Sequence, residues 1–385
     1  MTMNPVRLAA AALLLAACAP AGPSSSPSPA RVTEAGLLRL ADRREFDEAY
    51  LRAALADSDP AVARRAASVL ANLRRKEGVA LLGPALAHAD TSAAAAAAFA
   101  LGQIADSAAV PLLLPYADAA RAATSPTVVA EVAYALGKTR HPQARAALEN
   151  LLRTVPQSGG EGNGIVAGAA LLAVWRQGRP LPVSAIDPWI RHADPELRWR
   201  AAYALARRSE PAAAAILFRA AGDGEPLVRS FVARALTGPM ADSSGVGRQA
   251  AQDAVIRMAT ADPEMIVRVN ALRTLGTYPG EPAMRALIQT AATDREPYAV
   301  IAALEGMQRM GADAGLAQTL LREMVADAGR PVFVRQTALA TLTAIDPADA
   351  IRAAGPLARD PAWRLRASAA RAVAHSRPRA LGDLD

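Results

Sequence analysis

The chain has a single cysteine among 385 residues, so neither a disulfide framework nor a cysteine-based zinc cluster can hold it together. Its four histidines, His88, His141, His192 and His375, lie far apart, with no metal-ligand spacing among them. Lysine is nearly absent: Lys76 and Lys138 are the two, and arginine supplies almost all of the 43 basic residues. With pervasive alanine, that skew resembles the coding bias of a GC-rich genome more than selection for one ligand. The net charge of +7 therefore reads first as solvated helix faces, although arginine still suits carboxylate or phosphate contacts. Nucleophile and phosphate motifs are missing as well: no Gly-x-Ser-x-Gly, no His-Glu-x-x-His, no P-loop lysine, no Cys–His pair. No metal, cofactor or small-molecule substrate is expected. Apolar residues at 52% and charged residues at 21% nevertheless exclude a disordered or fibrous chain.

The start of the chain reads as an address. Arg7 precedes Leu8–Ala17, an apolar run of about ten residues, too short to span a bilayer and suited to a signal peptide. Leu15-Ala16-Ala17-Cys18 resembles the bacterial lipobox, in which small residues admit a signal peptidase and the cysteine sulfur is acylated. An ordinary secretory signal with an incidental cysteine is the alternative. The resemblance implies residues 1–17 as a lipoprotein signal peptide and Cys18 as the lipidation site, with the acyl chains as membrane anchor. Ala19 after the cysteine favours the outer membrane, facing the periplasm. Residues 18–34 are a Pro/Ser-rich tether that cannot form a core.

The body, residues 35–378, repeats one motif, and a tail, 379–385, follows. A proline or turn residue opens a helix at Asp59-Pro60, Asp90-Thr91, Ser125-Pro126, Asp194-Pro195, Glu225-Pro226, Asp262-Pro263, Glu296-Pro297, Arg330-Pro331 and Asp360-Pro361. With a degenerate unit near Gly164–Gly178, that makes about ten units of about 33 residues. Aspartate or serine caps the helix and proline occupies its first position, where no amide donor is lost. A leucine stands ten residues further on in five units: Leu70, Leu101, Leu136, Leu205 and Leu236. Gly102, Gly137, Gly238 and Gly276 then read as left-handed helix ends. Another amphipathic stretch precedes each helix, so the unit is a helix pair. One pair cannot bury its apolar face; a stack of pairs shares a continuous core. Two glycine-rich stretches, 157–164 and 238–247, read as flexible insertions between helices.

The pattern Asp-Pro-x-x-x-Arg followed by an Ala/Leu-rich helix and Leu-Gly resembles HEAT repeats, above all the short bacterial form related to bilin-lyase HEAT-like repeats. Pro195-Glu-Leu-Arg198 with Ala201–Leu205, and Pro226-Leu-Val-Arg229 with Ala233–Leu236, show it best. The resemblance implies an all-α, armadillo-like solenoid, an α-α superhelix of about ten helix pairs, with second helices lining its concave face. It also implies a ladder of capping acids and arginines tying neighbouring units, matched at Asp194/Arg198, Glu225/Arg229 and Asp360/Arg364 and interrupted at Ala63 and Val129. Some bacterial lipoproteins that this chain resembles place such an array before a cyclophilin-type peptidyl-prolyl isomerase domain. The motifs of that domain do not occur here.

The expected function is a membrane-anchored, non-catalytic protein-interaction scaffold. The alternative is the repeat module of a peptidyl-prolyl isomerase or chaperone whose catalytic domain is absent from this chain. The expected partner is an acidic or extended protein segment on the concave ridge, at Arg65, Arg200, Arg208, Arg234, Arg273, Arg335 and Arg371. Trp199, between Arg198 and Arg200 near a helix start, is the tryptophan expected to be partly exposed; Trp175, Trp189 and Trp363 are expected to pack between helices. An exported chain argues against a nucleic-acid partner.

Overall fold

The computed structural model describes residues 32–376; the expected signal peptide at 1–17, Cys18 and the expected tail at 379–385 lie outside the described residues. A leading helix, α1 (Glu34–Arg43), precedes ten helix pairs. The first four are α2 (Glu48–Leu55) with α3 (Pro60–Leu73), α4 (Gly78–Ala85) with α5 (Thr91–Ile104), α6 (Val110–Leu113, flanked by 3-10 turns) with α7 (Pro126–Thr139), and α8 (Pro142–Thr154) with α9 (Glu161–Val174). Next come α10 (Val183–Ile186) with α11 (Pro195–Ala206), and α12 (Pro211–Arg219) with α13 (Pro226–Ala235). A short α14 (Gly238–Ser243) leads to α15 (Arg248–Ala261) with α16 (Met265–Leu275). The last pairs are α17 (Glu281–Thr293) with α18 (Pro297–Met310), α19 (Gln318–Ala326) with α20 (Val332–Ile345), and α21 (Pro347–Leu357) with α22 (Trp363–Ser376). Among the described residues there is no strand, and no helix is long and apolar enough to cross a membrane.

Each second helix packs on the one before and the one after, from α1 through α22, which makes one continuous layer. The leucine ten residues after the helix start is its spine. Leu70, Leu101, Leu136 and Leu205 are fully buried, as are Leu171, Leu275 and Leu342 at the same place in other units. Each such leucine contributes roughly 1.5–3 kcal/mol. Small residues set the spacing. A methyl group at Gly102 would stand 2.8 Å from Ala135 Cα, and one at Gly137 would stand 2.8 Å from Ala173 Cβ. Gly276 and Gly306 meet in the same way, with Gly306 O 2.8 Å from the place of a Cβ on Gly276.

That observation corrects the reading of these glycines as left-handed ends. Gly102 and Gly137 lie inside α5 and α7, Gly238 opens α14, and Gly276 ends α16 at φ −61°. They are glycine because neighbouring backbones touch there. The left-handed ends are instead Arg44, Arg74, Ala105 and Arg140, at φ 54°, 52°, 56° and 50°. The glycine-rich stretches are also less open than expected, since Glu161–Gly164 forms the first turn of α9 and Gly238–Ser243 is helical.

Candidate functional site

At the start of each second helix the chain makes a tight turn, and the side chain three residues before the start shapes it. Asp57, Asp223, Asp262, Asp294 and Asp360 each accept the backbone N–H two residues on through Oδ1. His88 and His192 fill the same place with Nδ1, and their Nε2 atoms reach back to Asp57 O at 3.2 Å and Gln157 O at 2.8 Å. The capping residue proper is the one just before the helix: Asp59, Asp90 and Asp194 cap their own helices.

The arginine three residues after the start crosses to the next unit. Arg198 pairs with Asp223 at 2.9 Å, Arg229 with Asp262 at 2.7 Å, and Arg268 with Asp294 at 2.8 Å. Each also donates Nη1 to two carbonyls of its own turn. The inter-unit ladder is therefore real, with two corrections. Its acid is not the cap but the residue two positions earlier, so Asp194 and Glu225 are not the partners of Arg198 and Arg229. Its last member is Arg366, which donates to Asp360 O and Pro361 O, and not Arg364, because α22 starts at Trp363 and not at Pro361. Ala63 and Val129, at the arginine place, are buried in the core as the interruption implied.

Arg335 belongs to this ladder and is a correction to the exposed ridge. It is 7% exposed, pairs with Asp360 at 3.2 Å and donates Nε to Val325 O, so it is not available to a partner. The other ridge arginines divide in two. Arg65, Arg200, Arg273 and Arg371 lie on the outer face of the second-helix layer. Three are engaged with carboxylates: Arg65 with Glu34 at 2.9 Å, Arg200 with Glu196 at 3.0 Å, Arg273 with Glu305 at 2.9 Å. Arg371 donates to Ser368 Oγ. Arg208 and Arg234 instead stand at the C-terminal ends of α11 and α13, Arg208 donating Nε to Trp175 O. Trp199 is half-buried, as expected, with its Nε1 on Glu196 Oε2 and the Arg200 guanidinium 5.1 Å from its ring. Trp189 is buried, donating to Leu152 O, whereas Trp363 is 64% exposed, contrary to the packed position expected.

Sequence reasoning missed an apolar stripe. The residue immediately after the helix start is exposed and apolar in four consecutive units: Leu227, Ile266, Tyr298 and Phe333, at 39%, 44%, 65% and 44%. The signal was available, since each follows a helix-opening residue at one fixed position. Beyond Phe333 a groove of about 580 Å³ opens between α18, α20 and α22, lined by Thr337, Ala340, Ser368, Arg371 and His375 among others. In the N-terminal half the same layer carries Glu131, whose carboxyl is pushed above its ordinary range by burial, with Lys138 opposing that. Among the described residues no group of acids, histidines and cysteine could hold a metal ion.

The family model for HEAT repeats matches residues 48–123, 85–158 and 183–268, a little over half of the chain. The chain belongs to the HEAT-repeat family. Solved structures similar to this HEAT array include the karyopherin Kap121p bound to Pho4p (14% identity, 97% of this chain and 46% of that one, TM-score 0.59). Kap121p bound to the extreme C-terminus of the protein phosphatase Cdc14p is similar too (14%, 97% and 46%, TM-score 0.57). The array thus spans just under half of the karyopherin's length. The CpcE–CpcF complex of phycocyanin lyase from Nostoc sp. PCC7120 also matches (21%, 75% and 98%, TM-score 0.38). The likeness to the karyopherin shows the fold. No curated protein sequence matches the chain.

Proposed function

We propose that this HEAT array is a membrane-anchored, non-catalytic scaffold that holds a protein partner on its second-helix layer. The observation behind the reading is the stripe Leu227–Ile266–Tyr298–Phe333: four large apolar side chains in register, unburied by the fold, the last of them lining a groove that Arg371 also lines. Scattered apolar residues are ordinary on a surface, but a row repeated at one position of successive units presents a continuous contact line. The karyopherin structures of like fold are complexes with protein partners, which agrees with such a use. The lipobox-like Leu15–Cys18 supports the anchor, with acyl chains on Cys18 and the Pro/Ser-rich tether leading to the array at the periplasmic face of the outer membrane.

Site-specific photocrosslinking in cells tests it. A crosslinker at Tyr298 or Phe333 should trap a discrete protein that one at Arg257, on first helix α15, does not. Tyr298→Ser with Phe333→Ser should abolish the adduct of a crosslinker at Ile266. Equal trapping from α15 would reject the scaffold face. Release of a Cys18→Ala chain from the membrane fraction tests the anchor separately.

A further inference from the structure

All ten second helices run parallel, so their C-terminal ends form one edge of the rod, opposite the edge that carries the ladder and the apolar stripe. Cations gather on that edge. Arg74 ends α3, Lys138 lies in the last turn of α7, Arg176 follows α9, Arg207 and Arg208 follow α11, and Arg234 lies in the last turn of α13. They are neighbours, not merely equivalents. The guanidiniums of Arg207, Arg176 and Arg208 lie 4.5, 5.0 and 5.8 Å from the ring centre of Trp175. Arg207, Arg208 and Arg234 line one recess, which Glu210 shares with its carboxylate held by the Leu181 N–H. Burial, and next the charge of Arg176, hold the Lys138 ammonium below its ordinary range, with Glu131 opposing and Arg74 adding to the effect. None of the six forms an ion pair among the described residues, whereas the arginines of the opposite edge are paired with aspartates.

Helix dipoles favour a cation at each C-terminus, but they do not account for three guanidiniums converging on one indole with none of them in an ion pair. Such a cluster repels itself, and an anion would relieve it. We propose that this rim is a seat for anionic phospholipid headgroups, on which the rod lies edge-on. Three observations favour a lipid surface over an acidic protein. The charges are spread along an edge spanning the α3 to α13 units, which suits diffuse negative charge. The exposed apolar row, which a protein segment would use, starts at the other end of α13, with Leu227 about 10 Å along the helix from Arg234, and continues through units that carry none of the six cations. The thirteen residues between Cys18 and the first described residue reach at most about 45 Å, so an anchored chain keeps the rim near a bilayer. A rod seated this way turns its apolar stripe away from the membrane. The choice of a lipid surface rests on the anchored reading of the function; the rim itself does not.

Vesicle sedimentation tests it with the full chain carrying Cys18→Ala, so that no acyl group can bring the protein to the bilayer. Vesicles of phosphatidylglycerol mixed with phosphatidylcholine should retain at least about tenfold more protein than phosphatidylcholine alone at about 50 mM salt, and most of it should be released at about 500 mM. Lys138→Glu with Arg176→Glu and Arg207→Glu should lose the retention. Arg257→Glu with Arg285→Glu and Arg295→Glu, the same change in net charge on first helices and the opposite edge, should keep it. If circular dichroism shows the rim variant unfolded, Lys138→Gln with Arg207→Gln replaces it and should lower retention at least about threefold. Failure of the folded chain to bind anionic vesicles, equal binding to neutral ones, or equal loss in both charge-reversed sets overturns the proposal. So does tighter capture by poly-glutamate than by vesicles of matched charge, which would reassign the rim to an acidic protein. A finding that Cys18 is not acylated would remove the anchor and leave the vesicle result standing.

Discussion

Tyr278 shows how one side chain seals the insertion that sets α15 apart. Its ring is fully buried and its hydroxyl donates to Leu236 O at 2.6 Å, so the last turn of α13 has its carbonyl satisfied from forty-two residues away. Burial pushes the phenol up to about 12 from 10.0, with the Arg248 charge acting against that. The neutral form is the one the fold binds, so its stabilisation is intact below pH 10 and is lost as pH rises through about 12. Ultraviolet titration should show a late step from Tyr278, alongside Tyr134, whose phenol burial also raises. Tyr278→Phe should remove that late step and cost about 1–2 kcal/mol in urea unfolding, because it leaves a buried carbonyl unpaired. Loss of the late step without any change in stability would mean that Leu236 O finds another donor.

At the scale of the element, helix spacing competes with helix propensity. Alanine favours an isolated helix over glycine by about 1 kcal/mol, so Gly137→Ala would stabilise α7 if nothing were near. Ala173 is near, on the facing backbone of α9, and the added methyl would force the two helices apart. We expect Gly137→Ala to destabilise by about 1–3 kcal/mol, read as a lowered melting temperature. An unchanged or raised value would show that the helices slide apart freely. The period, the helix pairs and the buried leucines were legible in the sequence because each repeats a local rule of spacing, and the half-buried Trp199 because it sits between two arginines near a helix start. The Leu-Gly pairs were legible as a motif but not in meaning, since the contact that demands glycine lies some thirty residues away in the next unit. Arg335 misled for the same reason: its partner, Asp360, belongs to the following turn, and surface and ladder arginines look alike along the chain. The apolar stripe was overlooked because one exposed residue per unit carries no periodicity within a helix.

Across the whole molecule the junctions are closed by two different means. At the ladder place the first four units have Ala63, Ala94, Val129 and Gly164, so their second helices meet through small apolar surfaces. From α11 onward the place is Arg198, Arg229, Arg268, Val300, Arg335 and Arg366, and Arg198, Arg229, Arg268 and Arg335 tie their turns to the next unit by ion pairs. A stack of this kind is held by nearest neighbours, so each junction contributes separately to stability and can fail separately. The junction tied by Arg229 and Asp262, between α13 and α16, is the acid-sensitive one. For Asp262 burial raises the carboxyl, but the Arg229 bond, the Glu264 N–H and the charges of Arg229 and Arg268 outweigh it and hold the group below 3.8. Its contribution is present above the unfolded carboxylate range and is lost as pH falls through the lower folded value. Hydrogen exchange in acid should thus lose protection first around α13 and α16, while α3–α9 remain protected; at neutral pH the two regions should differ little. Asp262→Asn should reproduce the loss around α13 and α16 at neutral pH, at about 1–3 kcal/mol, because it leaves Arg229 half-buried without its counter-charge. Acid opening that spreads evenly from α3 to α22 would mean that the alanine-rich and ion-paired junctions are equivalent, and that the ladder only orients turns held by apolar packing.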